Sequence, residues 1–468
     1  MTPPVRWLEV GIAGAYLLGL TSLGLGFARE QTTTQQYFLA RRSIPAWATG
    51  MSLLTLLIHG VASLGLAGWN IGDSALVLIG ILGAVVAVAA GAVPPFYREA
   101  STMSAYEYFG QRFGRAVRWY AAIAFLVEHF SRAVLMLYLL GSRVQSSSGW
   151  SIDRVIAVVG LMTILYTARG GLEAVIWTSA MQGALMCAAV VSMFGYGWLI
   201  HTAGPARALP LTGVRWAGPP SGLVAIYCFF WSVQWCAADQ GIVQRYLAAK
   251  TDRAARKGAA LAGVICLMGA ALFLAAPIFP SLHAGPLPGM TAVTLTIVVG
   301  ALVCGFAADL NSFALVAVED LFLSNREAIS EAGRMRLSKA IVILSGLCCM
   351  AATIAFAHGK GPEPNTWIAI AMTAGGGIAG IFLLAFFSSR ASRRGVWTGI
   401  IAALAFTGYG IATGMDKFAV GALAHVVVLA IGCAVSFVWP DPLPRKPTGM
   451  TIWQWRRLRR RGAFEGSK

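Results

Sequence analysis

Thirteen long apolar runs constrain the fold of this chain more than any other feature of its sequence. Each can cross a hydrocarbon core of about 30 Å as a helix, which takes roughly 20 residues. The runs are much longer than barrel strands and show no two-residue alternation, so helices are the expected element. We predict an all-α integral membrane protein with about thirteen transmembrane helices. The predicted spans are 7–28, 44–69, 74–95, 116–144, 153–168, 172–200, 222–243, 258–281, 291–321, 338–357, 366–388, 396–413 and 420–439.

The composition supports a membrane location and argues against a water-soluble protein. Hydrophobic residues make up 57% of the chain and charged residues only 12%, which is too little charge to cover a soluble surface. The net charge of +17 lies in short loops, so it indicates membrane orientation and no nucleic-acid partner. The eight cysteines lie in apolar runs, and no nucleophile–His–Asp arrangement or phosphate loop stands out. We expect that the protein is not an enzyme and that it has no cofactor and no metal centre.

Lysine and arginine are distributed unevenly between the two sides that the spans define. One side carries 28 and the other seven, so the basic side is predicted to be cytoplasmic. The chain is then expected to cross the cell inner (plasma) membrane with its N-terminus outside the cell and its C-terminus in the cytoplasm. Spans two to six and seven to eleven start from opposite sides, which is typical of inverted repeats in transporters. The predicted divisions are an extra helix and loop at 1–43, repeats at 44–200 and 222–388 around an external loop at 201–221, two helices at 389–439, and a basic tail at 440–468.

Five short strings occur in an order and spacing that is specific when they are taken together. They are YFLARRS at 37–43, EYFGQRFG at 107–114, YTARGGLEAVIW at 166–177, DQGIVQR at 239–245, and Asn311-Ser312 with Glu319-Asp320. With these strings the chain resembles the sodium:solute symporter family from about residue 7 to 439. The resemblance implies a LeuT-type fold of inverted five-helix repeats, with substrate at mid-membrane beside broken first helices. It also implies a secondary active transporter that moves a small polar organic solute by alternating access.

The second span carries polar and flexible residues in its middle. His59, Gly60 and Ser63 lie there, although glycine costs about 1 kcal/mol inside a helix and an ionisable group is expensive at this depth. Irregular backbone within a membrane is tolerated where it lines a cavity. We therefore predict that residues 56–61 lack continuous helical bonding and that His59 and Ser63 contact the solute. The alternative is an intact helix with His59 packed against a polar neighbour.

Aromatic and amide side chains mark the seventh span. Trp231 and Trp235 are one turn apart and share a face, and Gln234 lies between them in the sequence. The family resemblance implies that Trp235 is an inner-gate aromatic over the substrate, and we predict solute contacts for all three residues. The alternative is a set of lipid-facing or core aromatics.

The positions that the resemblance associates with sodium have lost their oxygen-bearing side chains. Sodium is a hard ion that prefers oxygen ligands. In register with the family, the hydroxyl positions of the ninth span fall on Ala301, Cys304 and Gly305, and a carboxylate tied to coupling falls on Ser179. The partner positions on the second span are Thr55 and Ile58, which retain their backbone carbonyls. We predict weak or absent dependence on sodium.

Asp309 is a candidate site for a coupling proton that would take the place of the sodium ion. It lies one helical turn beyond Gly305 in an apolar run, where a carboxyl group is costly unless it faces protein or water. His59 is the second candidate. The alternative for Asp309 is an acid near the inner mouth that binds backbone or a loop arginine.

The fourth span carries Glu128, His129 and Arg132. Glu128 and Arg132 are spaced i,i+4, so we predict that they pair structurally, with contact between Glu128 and the solute as the sharper alternative. Gly375 to Gly377 in the eleventh span indicate close packing or a bend.

Two other functions remain open besides sodium-coupled transport. One is proton-coupled or uncoupled transport by the same fold, and the other is a solute sensor that signals through its tail. Trp453, Trp455 and five arginines at 456–461 predict an anchor to anionic lipid headgroups, with a protein-docking site as the alternative. The expected partners are thus a small-molecule solute, sodium or protons, and the lipid bilayer.

Overall fold

The computed structural model describes residues 7–65, 71–100, 102–203, 221–275, 290–323, 329–360, 366–367, 370, 373–441 and 450–461. Within these ranges the regular structure is helical, apart from an isolated bridge between Ile44 and Ala249. The first half contains α1 (Trp7–Gly26), a 3₁₀ turn (Phe27–Glu30), α2 (Thr34–Leu39), a second 3₁₀ turn (Ala40–Arg42), α3 (Ala46–Gly65), α4 (Ile71–Ala89), α5 (Val93–Glu99), α6 (Ala105–Phe113), α7 (Arg115–Ser148) and α8 (Ile152–Ala203).

The second half contains two interrupted spans among its helices. Its elements are α9 (Ser221–Ala238), α10 (Gln240–Ala248), α11 (Asp252–Ala275), α12 (Met290–Leu315) with a π-helical continuation (Val316–Phe322), α13 (Glu331–Ala357), α14 (Ile378–Phe387), α15 (Arg393–Ala412), α16 (Lys417–Val438) and α17 (Ile452–Arg460).

Every predicted span coincides with helix in the described part of the chain. Six described helices are long and apolar enough to span a membrane, or seven if the bent pair Gly80–Ala89 and Val93–Glu99 counts as one span. The predicted division between the fifth and sixth spans is a break at Gly171 inside α8, where φ is 59°. The Tyr37 carbonyl approaches so closely that a side chain at 171 would collide with it. Glycine is required here for both conformation and space.

The centre of the fold is α12. The apolar window of its span is wholly buried, whereas only 28% of the corresponding window of α13 is buried. Helices α1, α3, α7, α8 and α13 all pack against α12. Polar groups on the inner faces of these helices are therefore enclosed by protein and not by lipid.

The predicted break at 56–61 is wrong. Helix α3 runs without interruption from Ala46 to Gly65. Gly60 lies instead under the indole of Trp235, which leaves no room for a side chain at that position. The glycine permits close packing and does not unwind the helix. The side chain of Ser63 lies outside the described part of the structure.

The interruptions occur in the seventh and eleventh spans. Asp239 separates α9 from α10, with φ −79° and ψ 124°. In the eleventh span a turn precedes α14, and Gly376 and Gly377 have φ values of 25° and 89°. The glycine run therefore forms the bend that its sequence indicated, because glycine adopts positive φ at little cost.

The basic tail packs against the protein. Trp455 of α17 is only 4% exposed, contacts Phe96 edge-on, and donates through its indole to the Glu99 carboxylate at 2.5 Å. Trp453 is 51% exposed and donates to the Phe387 carbonyl. The expectation of two headgroup-anchoring tryptophans is thus wrong for Trp455.

Candidate functional site

A buried cluster of charged side chains centres on His129 of α7. Its Nε2 lies 2.9 Å from Oδ2 of Asp239, and its Nδ1 lies 2.8 Å from Oδ1 of Asp309. The Arg132 guanidinium donates from Nη2 to the same Asp309 oxygen at 2.8 Å and also contacts Nδ1 of His129. All four side chains are buried. The cluster joins α7 and α12 to the start of α10 by ionic hydrogen bonds, which are stronger than neutral ones.

Asp239 has two structural tasks. Its Oδ1 accepts from the Ile242 amide at 3.0 Å and so caps α10, while its Oδ2 faces His129. A capping carboxylate satisfies an amide that the first turn of a helix leaves unpaired. Interruption of the seventh span is therefore what points the Asp239 carboxylate at α7.

Glu128 forms a second polar pair. Its Oε2 accepts from Nε2 of Gln234 in α9 at 2.8 Å. Gly375 lies against both groups, and a side chain there would collide with them. The predicted pair of Glu128 with Arg132 is replaced, because Arg132 binds Asp309 and Glu128 binds Gln234.

The two tryptophans share a face, as predicted. Their rings stack with centroids 4.8 Å apart and planes 28° from parallel. The Arg132 guanidinium lies 4.8 Å from the centre of the Trp235 ring, a cation–π distance. Nε1 of Trp235 is buried and has no hydrogen-bond partner. The tryptophan stack is therefore joined to the His129 cluster through Arg132.

The positions associated with sodium converge, although they come from three helices. The Thr55 hydroxyl donates to the Ser179 carbonyl at 2.7 Å, and the Ser179 hydroxyl donates to the Val175 carbonyl in its own helix. Cys304 lies beside Ser179 and is fully buried. Both hydroxyl protons are thus engaged with backbone.

His59 occupies the remaining space at this junction. Its imidazole lies directly against Gly305, so a side chain at 305 would collide with the ring. Neither ring nitrogen has a well-aligned hydrogen-bond partner, and the Ala301 carbonyl is its nearby backbone acceptor. The helix is intact, as in the alternative interpretation, but His59 packs against Gly305 and not against a polar neighbour. Ile58 and Ala301 are both half-buried.

Asp309 lies inside the cluster and does not bind a loop arginine. It is held by Arg132 and His129, while its Oδ2 is buried without a partner. Asp309 is one of the predicted coupling residues, whereas His129 and Asp239 are not among the predicted site residues. The spacing of Glu128, His129 and Arg132 was the available signal, since three ionisable groups on one apolar span need partners.

Polar contacts continue towards the predicted cytoplasmic side. Arg245 of α10 is buried and donates to the Ser52 hydroxyl at 2.7 Å and the Gly241 carbonyl at 2.6 Å. Gln244 donates to Asn311 at 3.1 Å and accepts from Ser312 at 3.0 Å. These bonds fasten α10 to α3 and α12 below the His129 cluster.

Comparison with known proteins identifies relatives along most of the chain. The model of the sodium:solute symporter family matches residues 37–210. The sodium/sialic acid symporter NanT of Aliivibrio fischeri is 24% identical, covering 89% of this chain and 90% of that protein. The sodium/sialic acid symporter SiaT of Proteus mirabilis is 25% identical, covering 85% and 88%. The resemblance to the sodium:solute symporter family is confirmed.

Solved structures confirm the fold. A substrate-bound, outward-open Na⁺-coupled sialic acid symporter covers 93% of this chain and 99% of its own, with a TM-score of 0.78 and 21% identity. The nucleobase-cation-symport-1 transporter Mhp1, in a closed conformation, covers 90% and 94% with a TM-score of 0.54 and 16% identity. The chain therefore has the LeuT-type fold of a multi-pass membrane transporter, and its relatives are transporters and not enzymes.

Proposed function

We propose that this protein is a secondary active transporter that moves a small, hydroxyl-rich organic solute by alternating access. The observation that carries the proposal is the buried Glu128–Gln234 pair, which faces the glycine turn before α14 and lies near the stacked tryptophans. Carboxylate and amide groups bind sugar hydroxyls, and an indole face packs against the apolar face of a sugar ring. Two relatives that match most of the chain are named for sialic acid, an acidic sugar.

The predicted solute-binding residues then fall into two groups. We place the proposed solute at Glu128, Gln234, Trp231 and Trp235, with His59 at its edge on the side of α3. Ser63 stays a proposed contact that lies outside the described side chains.

Sodium dependence is proposed to be weak. The relatives NanT and SiaT are named as sodium-coupled. In this chain, however, Gly305 has no side chain, and Cys304 offers sulfur in place of a hydroxyl oxygen. A dehydrated sodium ion at this junction would be under-coordinated.

The two proposed repeats, 44–200 and 222–388, would move relative to each other with their basic ends in the cytoplasm. The continuous α3 and the interrupted α9–α10 pair differ at the corresponding place in each repeat. Movement would therefore be concentrated at Asp239 and at the turn before α14, where the helices already break.

Uptake by proteoliposomes tests this function. N-acetylneuraminic acid, glucose and a panel of carboxylates would each be offered as radiolabelled solutes, with sodium and pH gradients imposed separately. We expect saturable uptake of a hydroxyl-rich solute that Glu128→Gln weakens at least about tenfold, since a hydrogen bond to a charged group contributes roughly 1.5–3 kcal/mol. Glu331→Gln, which alters a contact with Thr34 far from the site, is the matched control. Binding without translocation of any compound would favour the sensor instead.

A further inference from the structure

We propose that His129 is the site at which this transporter binds a coupling proton, and that the proton determines whether Nδ1 of His129 donates to Asp309 or accepts from Arg132. The inference rests on the proposed function for its role in transport. Its structural basis is independent of the solute, because it concerns the hydrogen bonds of one imidazole ring.

The ring of His129 is bonded at both nitrogens. Nε2 faces Asp239 at 2.9 Å and Nδ1 faces Asp309 at 2.8 Å. A neutral imidazole carries one N–H, whereas both contacts with ionised carboxylates require a donor. An imidazolium satisfies both carboxylates at once. This state is the first of two arrangements that the geometry allows.

The second arrangement uses Arg132. Its Nη2 contacts both Nδ1 of His129 and Oδ1 of Asp309. A neutral His129 with its proton on Nε2 still donates to Asp239, and its bare Nδ1 accepts from Arg132. Asp309 is then held by Arg132 alone. An N–H bond at Nδ1 is the only covalent bond that distinguishes the two arrangements.

Arg132 and a protonated Nδ1 cannot keep the same contacts. When Nδ1 gains a proton from water it becomes a donor to Asp309, and the Arg132 N–H loses its acceptor on the ring. The Arg132 guanidinium, which lies over Trp235, then keeps Asp309 as its acceptor and gains one N–H that can point towards the proposed solute site. An arginine N–H released in this way suits a carboxylate on the solute. Proton binding and binding of an acidic sugar would therefore favour each other.

The charge of the surroundings favours one added proton. Among the ionisable groups that contact the ring, the Asp239 and Asp309 carboxylates are negative and the Arg132 guanidinium is positive. A protonated His129 brings the sum to zero, which lowers the cost of burial at mid-membrane. The groups near His129 are Glu128 and Arg132 on α7, Asp239 and Arg245 on the α10 side, Asp309 on α12, His59 on α3 and Tyr106 on α6.

Two other titratable groups fit the role less well. His59 has no carboxylate within bonding distance and packs against Gly305. Asp309 already accepts from the permanently charged Arg132. His129 alone contacts α10, α12 and Arg132 together, so its protonation can alter both the break at Asp239 and the central helix.

Two measurements on the full-length protein test the site. The first is ¹⁵N NMR of [¹⁵N]histidine-labelled protein in lipid nanodiscs between pH 5 and 9, with His129→Gln assigning the resonance. We expect the Nδ1 signal to change from the protonated to the unprotonated position as pH rises. If His129→Gln does not fold, the single variants His59→Gln, His201→Gln, His283→Gln, His358→Gln and His425→Gln assign the other five histidines, and the remaining signal is that of His129. A His129 that keeps one protonation state across this range would overturn the proposal.

The second measurement uses N-acetylneuraminic acid in proteoliposomes. Exchange without gradients reports the proposed function, and accumulation driven by an alkaline interior reports the proton. We expect the inside-to-outside ratio of His129→Gln to fall to unity, and the exchange that this variant still performs to lose the pH dependence of the wild type. His425→Gln is the matched control, since that buried ring stacks on Phe230 away from the cluster. Equal pH-driven accumulation in His129→Gln and wild type would refute the proton site. Absence of exchange in wild type would refute the proposed solute. Protonation of His129 would then be decided by the NMR titration alone.

Discussion

The imidazole of His59 lies against the backbone of Gly305, in the space that a side chain at 305 would occupy. This contact joins α3 to α12 at the position where the family resemblance expected an oxygen ligand for sodium. Restoring that ligand therefore requires a change at both residues.

We predict that Cys304→Ser with Gly305→Ser lowers stability without creating strong sodium dependence. Serine at 305 collides with His59, and overpacking of this kind typically costs about 1–3 kcal/mol. Adding His59→Ala removes the collision and should restore thermal stability and raise sodium-stimulated binding. Scintillation proximity binding at constant ionic strength measures the dependence. A rise in sodium affinity in the double variant that His59→Ala does not increase would contradict the argument.

Gly60→Ala is predicted to reduce transport and to lower the melting temperature. A methyl group at residue 60 meets the six-membered ring of Trp235, so the indole must move away from Trp231 and Arg132. Gly80→Ala is the control, because nothing lies within 4 Å of the added carbon in α4. It should be neutral or stabilise the helix by up to about 1 kcal/mol. Equal melting temperatures for the two variants would show that the Trp235 indole can shift to accept the methyl group at no cost in stability.

The contrast between these glycines explains what the sequence could predict. Span lengths and the Gly171 break follow from apolar runs and from a glycine at a turn, which are local properties. At Gly60 the sequence cannot distinguish an unwound segment from a close approach, because both need a residue without a side chain. The approach of Trp235 comes from a helix far away in the chain.

The charged cluster could be predicted only in part, because local spacing is read from the sequence and long-range contacts are not. The sequence places Glu128, His129 and Arg132 on one span and shows that they need partners. The sequence could not identify those partners, because the i,i+4 spacing favoured a pair between Glu128 and Arg132. The fold instead brings Asp309 and Asp239 to α7 from more than 100 residues away, and these long-range contacts outweigh the i,i+4 pair.

Trp455→Ala is predicted to release the tail from the protein. The substitution removes a buried ring that packs on Phe96 and donates to Glu99, so α17 loses its main apolar contact. Limited trypsin digestion should then cut within the arginines at 456–461 at least about tenfold faster, because cleavage follows local opening. Trp453→Ala, at an exposed position, should change the rate much less. Comparable protection in both variants would argue that lipid, and not Trp455, holds the tail.

The orientation of the chain is open to a direct test. We predict a cytoplasmic C-terminus, because 28 basic residues lie on its side of the predicted spans against seven on the other. A periplasm-active phosphatase fused after Lys468 should be inactive, whereas a green fluorescent protein at the same place should fluoresce. Fusing the phosphatase after Ala203, at the end of α8 and on the predicted outer side, provides the matched control and should give activity. The reverse pattern would invert the membrane orientation and place the Arg245 side of the His129 cluster outside.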